Sequence, residues 1–198
     1  MVFLLSILIS CKKEDVPKEY RPNNAHEAYL YALKQANLIN TALGKDWVDA
    51  SKKAIDKPIL INTPHQELIL IDSTVAFAEG YQFSAKEGQS IEITLEYFGS
   101  DSTLLFLDAY RIDKKNNTFR RIASGNKLNR KIEFTTHTNA DYTIRLQSEL
   151  LRGGKCMLKI VLKPLLKFPV EGTGMNSIGG LWGSPGRRQK RTSWCGHI

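Results

Sequence analysis

Cysteine is scarce in this sequence, and its spacing excludes two common kinds of site. Among 198 residues there are three cysteines, Cys11, Cys156 and Cys195. No two of them form a Cys-x-x-Cys pair, so neither a zinc knuckle nor a dithiol redox motif is encoded. Each cysteine has to be explained by its own surroundings.

Histidine is equally scarce: His26, His65, His137 and His197 are the only four. No two of them have the His-x-His or His-x-x-x-His spacing that presents paired zinc ligands. We expect His26, His65 and His137 to be surface or turn histidines. The chain also lacks a Gly-x-Ser-x-Gly nucleophile elbow and a phosphate-cradling glycine loop. No catalytic residue and no metal ligand is predicted, and no cofactor is expected in this chain.

Acidic residues are absent from residues 172–198, where a basic cluster lies. Arg187, Arg188, Lys190 and Arg191 supply four of the eight net positive charges of the chain. Basic and aromatic residues do not alternate in any stripe that would both neutralise and stack on a nucleic acid. We therefore predict no nucleic-acid partner.

The apolar N-terminus is too short to span a membrane, which requires about twenty residues. Residues 1–10 suit the apolar core of a signal peptide, although a basic n-region is missing. Leu8-Ile-Ser-Cys11 resembles the bacterial lipobox, which implies that Cys11 is a lipid anchor to the membrane. Residues 11–22 are charged and contain two prolines, as a tether would. The alternative, a buried N-terminal strand, is disfavoured by the abrupt change to charged residues.

Two helices are predicted in residues 23–57. Asn24 and Glu27 have capping-box spacing at the start of the first helix. Thr41 can cap a second helix at residues 42–55, and Pro58 would end it. The apolar positions of each helix recur on one face. These positions are Tyr29, Leu30, Leu33 and Ala36 in the first helix, and Leu43, Trp47, Ala50 and Ala54 in the second.

The hydrophobic period changes from that of a helix to two in residues 58–163, which predicts strands separated by turns. The nine predicted strands are residues 59–61, 66–71, 75–85, 90–97, 104–111, 119–123, 130–135, 141–147 and 156–162. Many short strands without intervening helices are typical of an antiparallel β-sandwich. Ile91, Ile93, Leu95 and Tyr97 alternate cleanly and should face inward. Cys156 should behave as a small core hydrophobe. The predicted fold class is mainly β: an antiparallel β-sandwich preceded by a short helical hairpin.

A glycine-rich stretch follows the strands. Residues 164–185 contain five glycines between Gly172 and Gly183, and they show no periodicity. Such a stretch is typical of a turn-rich start to a new domain.

Phe168-Pro-Val-Glu-Gly172 and Ser177-Ile-Gly-Gly-Leu-Trp-Gly-Ser-Pro185 resemble the start of the lysostaphin/LytM-type zinc metallopeptidases, which cleave peptidoglycan peptides. The His-Glu-Ala-Tyr helix, the Thr-Ala-Leu-Gly-Lys-Asp-Trp helix and the sandwich are similar to lipoprotein members, so the resemblance covers residues 24–185. It implies zinc in the intact family member and a metal-bound water that attacks the peptide carbonyl. The family's zinc ligands are missing from this chain.

Residues 186–198 break the family pattern, and we interpret them as an aberrant basic tail without defined structure. One permitted coding of this tail, read one base later, gives Asp-Gly-Gly-Lys-Arg-Gly-His-Arg-Gly-Val-Asp-Ile, which contains the family's His-x-x-x-Asp ligand pair. This predicts a frameshift after Pro185, in which case Cys195 and His197 have no role. The alternative is a genuine basic arm.

Two functions therefore remain open. The first is the N-terminal part of a membrane-anchored, peptidoglycan-cleaving zinc metalloendopeptidase, itself expected to be inactive. The second is a lipoprotein β-sandwich that binds cell-wall glycan, peptide or a partner protein. Both place the chain in the bacterial cell envelope, lipid-anchored and either periplasmic or surface-facing.

Overall fold

The structure is a computed structural model, which describes residues 20–100, 102–116, 118–125 and 130–164. The predicted signal peptide, most of the predicted tether with Cys11, nearly all of the glycine-rich segment and the basic tail lie outside the described residues. The predicted fold class is confirmed: two helices precede nine strands that form two packed sheets.

Helix α1 (Ala25–Gln35) and helix α2 (Ala42–Asp56) form the predicted hairpin, joined through a short 3-10 turn at Leu38–Asn40. Asn24 caps α1, because its Oδ1 accepts from the amide of Glu27 at 2.8 Å. In a capping box, the carboxylate of Glu27 would accept from the amide of the N-cap residue Asn24. Here it accepts instead from the amide of the preceding residue, Asn23. Thr41 caps α2 through a bond from the amide of Gly44 at 3.1 Å.

The buried stripe of α2 differs in part from the prediction. Trp47 and Ala54 are buried as expected, but Leu43 and Ala50 are only partly buried. Gly44 and Ser51 take their places on the buried face. Glycine fits at position 44 because a Cβ atom there would lie 2.1 Å from the carbonyl oxygen of Leu38 in the 3-10 turn. Serine fits at position 51 because its Oγ accepts from Nη1 of Arg145.

Strands β1 to β9 agree with the predicted strands to within three residues at each end. They are β1 (Ile59–Leu60), β2 (His65–Ile71), β3 (Ala78–Ala85), β4 (Gln89–Phe98), β5 (Leu105–Asp113), β6 (Thr118–Ser124), β7 (Lys131–Thr135), β8 (Ala140–Ser148) and β9 (Gly154–Pro164). One sheet has the order β1-β3-β8-β5-β6 and the other has the order β2-β9-β4-β7. Neighbouring strands are antiparallel except for the short β1, which runs parallel to β3.

The main core lies between the two sheets. Alternation in β4 places Ile91, Ile93 and Leu95 inside as predicted, with Tyr97 packed against the core. Cys156 is buried in β9, also as predicted. The helical hairpin covers part of the outer face of the five-stranded sheet, where Trp47 and Leu33 pack with Phe106 of β5.

Candidate functional site

The turn between β5 and β6 shapes one end of the five-stranded sheet. Asp113 closes this turn: its Oδ1 accepts from the amide of Lys115 at 3.0 Å, and its Oδ2 accepts from Nδ2 of Asn116 at 2.8 Å. An Asp that bonds to the backbone two residues later favours a chain reversal. The hairpin therefore projects a cluster of basic residues beside the end of β3 and the start of β8.

A groove with a volume of about 840 Å³ lies at this end of the sheet. We call it the basic groove. It is lined by Ser84, Ala85, Lys86, Arg111, Ile112, Asp113, Lys114, Lys115, Thr118, Arg120, Asn139, Ala140 and Asp141. This volume falls within the range of small-molecule and short-segment binding sites, roughly 300 to 1,000 Å³.

The two acids of the basic groove already have partners. Asp141 accepts from Nζ of Lys114 at 2.6 Å and from Oγ of Ser84 at 2.6 Å. The bond from Lys114 is the largest cause that lowers the pKa of Asp141. The bond from Asn116 is the largest cause that lowers the pKa of Asp113. Both groups are therefore ionised at neutral pH and held by neighbours.

Four cations of the groove have no ion-pair partner within the described part of the chain: Lys86, Arg111, Lys115 and Arg120. Arg111 and Arg120 lie directly opposite each other in the β5–β6 ladder. All four residues are exposed. Such a groove attracts anions, because the cations that line it outnumber its two acids.

A second polar cluster lies buried between the hairpin and the sheet. Arg145 of β8 is ion-paired with Asp108 of β5, and its Nη1 donates to Oγ of Ser51 at 2.7 Å. Asp108 also accepts from Nδ2 of Asn24 at 2.8 Å and from Oγ of Ser124 at 2.5 Å. We call these residues, together with His26 and Gln147, the buried network.

His26 corrects one expectation from the sequence. It was predicted as a surface or turn histidine, but its side chain is buried, with only 8% of the residue exposed. The ring stacks on Trp47, with centroids 4.7 Å apart, and meets the edge of Phe106. Its Nε2 lies 2.8 Å from Oε1 of Gln147. Burial, followed by the charge of Arg145, lowers the pKa of His26 to about 4.

The buried network joins the helices to the sheet and offers little room for a ligand. Gln147 donates to the carbonyl of Trp47 at 2.8 Å, so its side-chain oxygen faces His26 and accepts from the ring. Arg145 Nε and Thr143 Oγ1 are the two buried side-chain atoms without a partner among the described residues. Most of the polar groups are thus satisfied within the protein, as a structural anchor requires.

His65 and His137, the other two histidines of the described residues, take no part in a described site. His65 begins β2 rather than lying in the turn, and its ring contacts Glu67 at 3.2 Å. His137 lies exposed in a bend, as predicted. His137 and Asp141 have the His-x-x-x-Asp spacing, but Asp141 is held by Lys114 and Ser84. Within the described residues, no three His, Cys, Asp or Glu side chains group as a metal site would require.

Cys11, the predicted lipid anchor, lies outside the described residues. Neither described helix is long and apolar enough to cross a membrane. The groove and the buried network were not found from the sequence. The sequence contained one signal for the buried network. Strand alternation places Asp108, Arg145 and Gln147 on the face of their strands that points away from the main core.

The fold and the groove together define a β-sandwich domain with a helical hairpin packed on one sheet. No family model and no curated protein matches the chain. Among solved structures it is similar to PliG of Aeromonas hydrophila, a periplasmic inhibitor of g-type lysozyme, with 11% identity and a TM-score of 0.39 over 54% of this chain and 96% of that chain.

The pre-peptidase C-terminal domain of Bacillus anthracis collagenase gives 11% identity and a TM-score of 0.42 over 52% of this chain and 94% of that chain. PliG of Salmonella Typhimurium gives 14% identity and a TM-score of 0.33 over 54% of this chain and 98% of that chain. These scores are low, so the fold assignment rests on the strands and their pairing.

Proposed function

We propose that this chain is a binding module of the bacterial cell envelope that holds an anionic ligand in the basic groove. The observation that carries the proposal is the set of four exposed cations without an ion-pair partner in the described part of the chain: Lys86, Arg111, Lys115 and Arg120. Lys114 pairs with Asp141, so Asp113 is the one groove acid whose charge opposes these four cations, and a net positive charge remains.

The location in the envelope is supported by the sequence, because Cys11 follows a lipobox-like run. A tether of about a dozen residues would then keep the sandwich close to the membrane surface and to cell-wall material. Peptidoglycan is a suitable partner there, since its peptides carry free carboxylates. A groove of about 840 Å³ can take a short segment of such a polymer.

Cosedimentation with purified peptidoglycan sacculi tests this function. Replacing Lys86, Arg111, Lys115 and Arg120 together by Gln should reduce the bound fraction severalfold at low salt. The matched control replaces Lys52, Lys53, Lys155 and Lys159, which are exposed and lie on α2 and on the other sheet. Both variants lose four positive charges, but only the first alters the groove.

Binding of the unaltered chain should also weaken as the salt concentration rises from about 0.05 M to about 0.5 M, because the Debye length falls below about 5 Å at the higher concentration. Equal loss of binding in the two variants would show that overall charge, and not the groove, holds the chain. No binding of the unaltered chain to sacculi would remove peptidoglycan as the ligand.

We also propose, as a second function, that the module belongs with a LytM-type peptidoglycan peptidase. The supporting observation is the resemblance of residues 168–185, which lie outside the described residues. Reading the coding DNA after the Pro185 codon tests it, and a His-x-x-x-Asp motif is expected in an alternative frame. Its absence from both alternative frames rejects the proposal. The chain itself is expected neither to bind zinc nor to cleave a muropeptide.

A further inference from the structure

We propose that Arg111 and Arg120 form a clamp that binds a single oxyanion, a carboxylate or a phosphate, in the basic groove. This inference rests on the proposed function and deepens it, because it names the chemical group that the groove recognises. The remaining groove cations, Lys86 and Lys115, then attract further anionic groups of the same ligand.

The register of the β5–β6 ladder sets the geometry of the clamp. Arg111 and Arg120 are direct partners across two antiparallel strands, so their Cβ atoms lie roughly 5 Å apart on one face of the sheet. Tyr142 of β8 pairs with Arg111 on the other side and shares this face. The tyrosine ring is buried in the core. The two arginine side chains therefore lie at the edge of the apolar core.

Two like charges in direct opposition destabilise a ladder unless a counter-charge lies between them. Asp113 lies two residues further along β5 on the same face as Arg111. The two side chains attract each other electrostatically, but they are too far apart to form an ion pair. The two carboxylate oxygens of Asp113 are occupied by the β5–β6 turn. An external oxyanion would supply the missing counter-charge.

The guanidinium group suits this task better than an ammonium group. It is planar and presents pairs of N–H groups that match the two oxygens of a carboxylate or a phosphate. Two such groups facing one anion can donate to both of its oxygens. Thr118 lies on the same face as Arg120, two residues earlier in β6, and lines the groove. Its hydroxyl group can complete the site.

The geometry accepts an oxyanion from either of two sources, a carboxylate-bearing peptide or a phosphate-bearing polymer. Isothermal titration of the full chain with triglutamate and with inorganic triphosphate separates them. The two probes carry several anionic groups each and differ in the chemistry of these groups. The probe that binds more tightly identifies the source.

The decisive variant is R111K/R120K, which keeps both charges but removes the planar forks. We expect its dissociation constant for the preferred probe to rise about tenfold or more, since hydrogen bonds to charged groups are worth that much. The control K155Q/K159Q, on the outer face of the other sheet, should bind within about twofold of the unaltered chain. Thermal unfolding of each variant checks that the fold is intact.

Two further outcomes separate this inference from the proposed function. If R111K/R120K binds both probes as tightly as the unaltered chain while K86Q/K115Q weakens them, the clamp is wrong and the basic groove remains a binding site. If the unaltered chain binds neither probe, or if neither pair of groove substitutions changes binding, both the clamp and the anion-binding function are wrong.

Discussion

The environment of His26 could not be deduced from its position in the sequence. It lies in the first turn of α1, where a histidine is usually exposed. Its ring instead stacks on Trp47, meets the edge of Phe106 and donates to Gln147, a residue 121 positions away. Burial is the largest cause that lowers its pKa from 6.5 to about 4, and the nearby Arg145 adds to it. The neutral ring is therefore part of the folded state.

The first prediction concerns pH. Because the pKa of His26 is lower in the folded chain than in the unfolded chain, the unfolded chain binds the proton more tightly between pH 6.5 and about 4. The contribution of His26 to stability is complete above pH 6.5 and is lost as the pH falls towards 4. The free energy of unfolding in urea should fall by about 2 kcal/mol between pH 7.5 and pH 5.

His26→Gln should remove most of this dependence on pH, whereas His137→Gln should keep it, because His137 is exposed in a bend. A His26→Gln variant with the full pH dependence of the unaltered chain would contradict the assignment.

At the scale of elements, the helical hairpin depends on a close approach between α2 and β3. A Cβ atom added at Gly80 would lie 1.6 Å from the carbonyl oxygen of Ala54. Trp47 fixes the other half of α2, since its Nε1 donates to the carbonyl of Ser148 at 2.8 Å. The helix therefore rests directly on sheet backbone, and glycine is the residue type that permits it.

The second prediction follows from this contact. Gly80→Ala should lower the free energy of unfolding by about 3 kcal/mol, because the α2 backbone has to move away from the sheet. Hydrogen exchange should show faster exchange of the α2 amides. Gly88→Ala is the matched control: its Cβ meets nothing within 4 Å, but its φ of +75° is unfavourable for alanine.

Gly88→Ala should lower the free energy of unfolding by about 1 kcal/mol and leave the hydrogen exchange of the α2 amides unchanged. If α2 stays as protected in Gly80→Ala as in the control, the close approach does not hold the hairpin.

At the scale of the whole molecule, β9 lies inside the four-stranded sheet, between β2 and β4. Cys156 of β9 is fully buried among core side chains of both sheets. Burial raises the pKa of its thiol to about 11. A reagent that needs the thiolate can reach this atom only when the sandwich opens.

The third prediction is that Cys156 reports global unfolding. In a C11S/C195S background, its labelling by a disulfide reagent should be slow in the native state. The free energy of opening obtained from the labelling rate should match that from urea unfolding. The two should also depend equally on urea concentration. Rapid labelling without urea would show that β9 opens locally.

Much of this architecture could be predicted from the sequence, because it depends on local patterns. The caps at Asn24 and Thr41 and the two-residue period of β4 need only neighbouring residues to take effect. Nine strands and two helices were predicted in their correct order. The parallel pairing of β1 was not, because it depends on which strand the chain meets after leaving α2.

The candidate sites could not be predicted, because their residues are distant in the sequence. The basic groove combines β3, the β5–β6 turn and the start of β8. Their basic residues look like ordinary surface charges until the sheet order makes β8 and β5 neighbours. Likewise, Asp108 and Arg145 become a buried pair only when the hairpin covers them.

The sequence by itself determined the secondary structure, the fold class and the inward face of the strands, since short-range sterics and hydrophobic periodicity decide these. Only the tertiary structure decided that His26 is buried and neutral, that Gly80 supports α2, and that Arg111 opposes Arg120. These features arise from strand order and register, which bring side chains together across dozens of residues and thereby set their burial and their electrostatic environment.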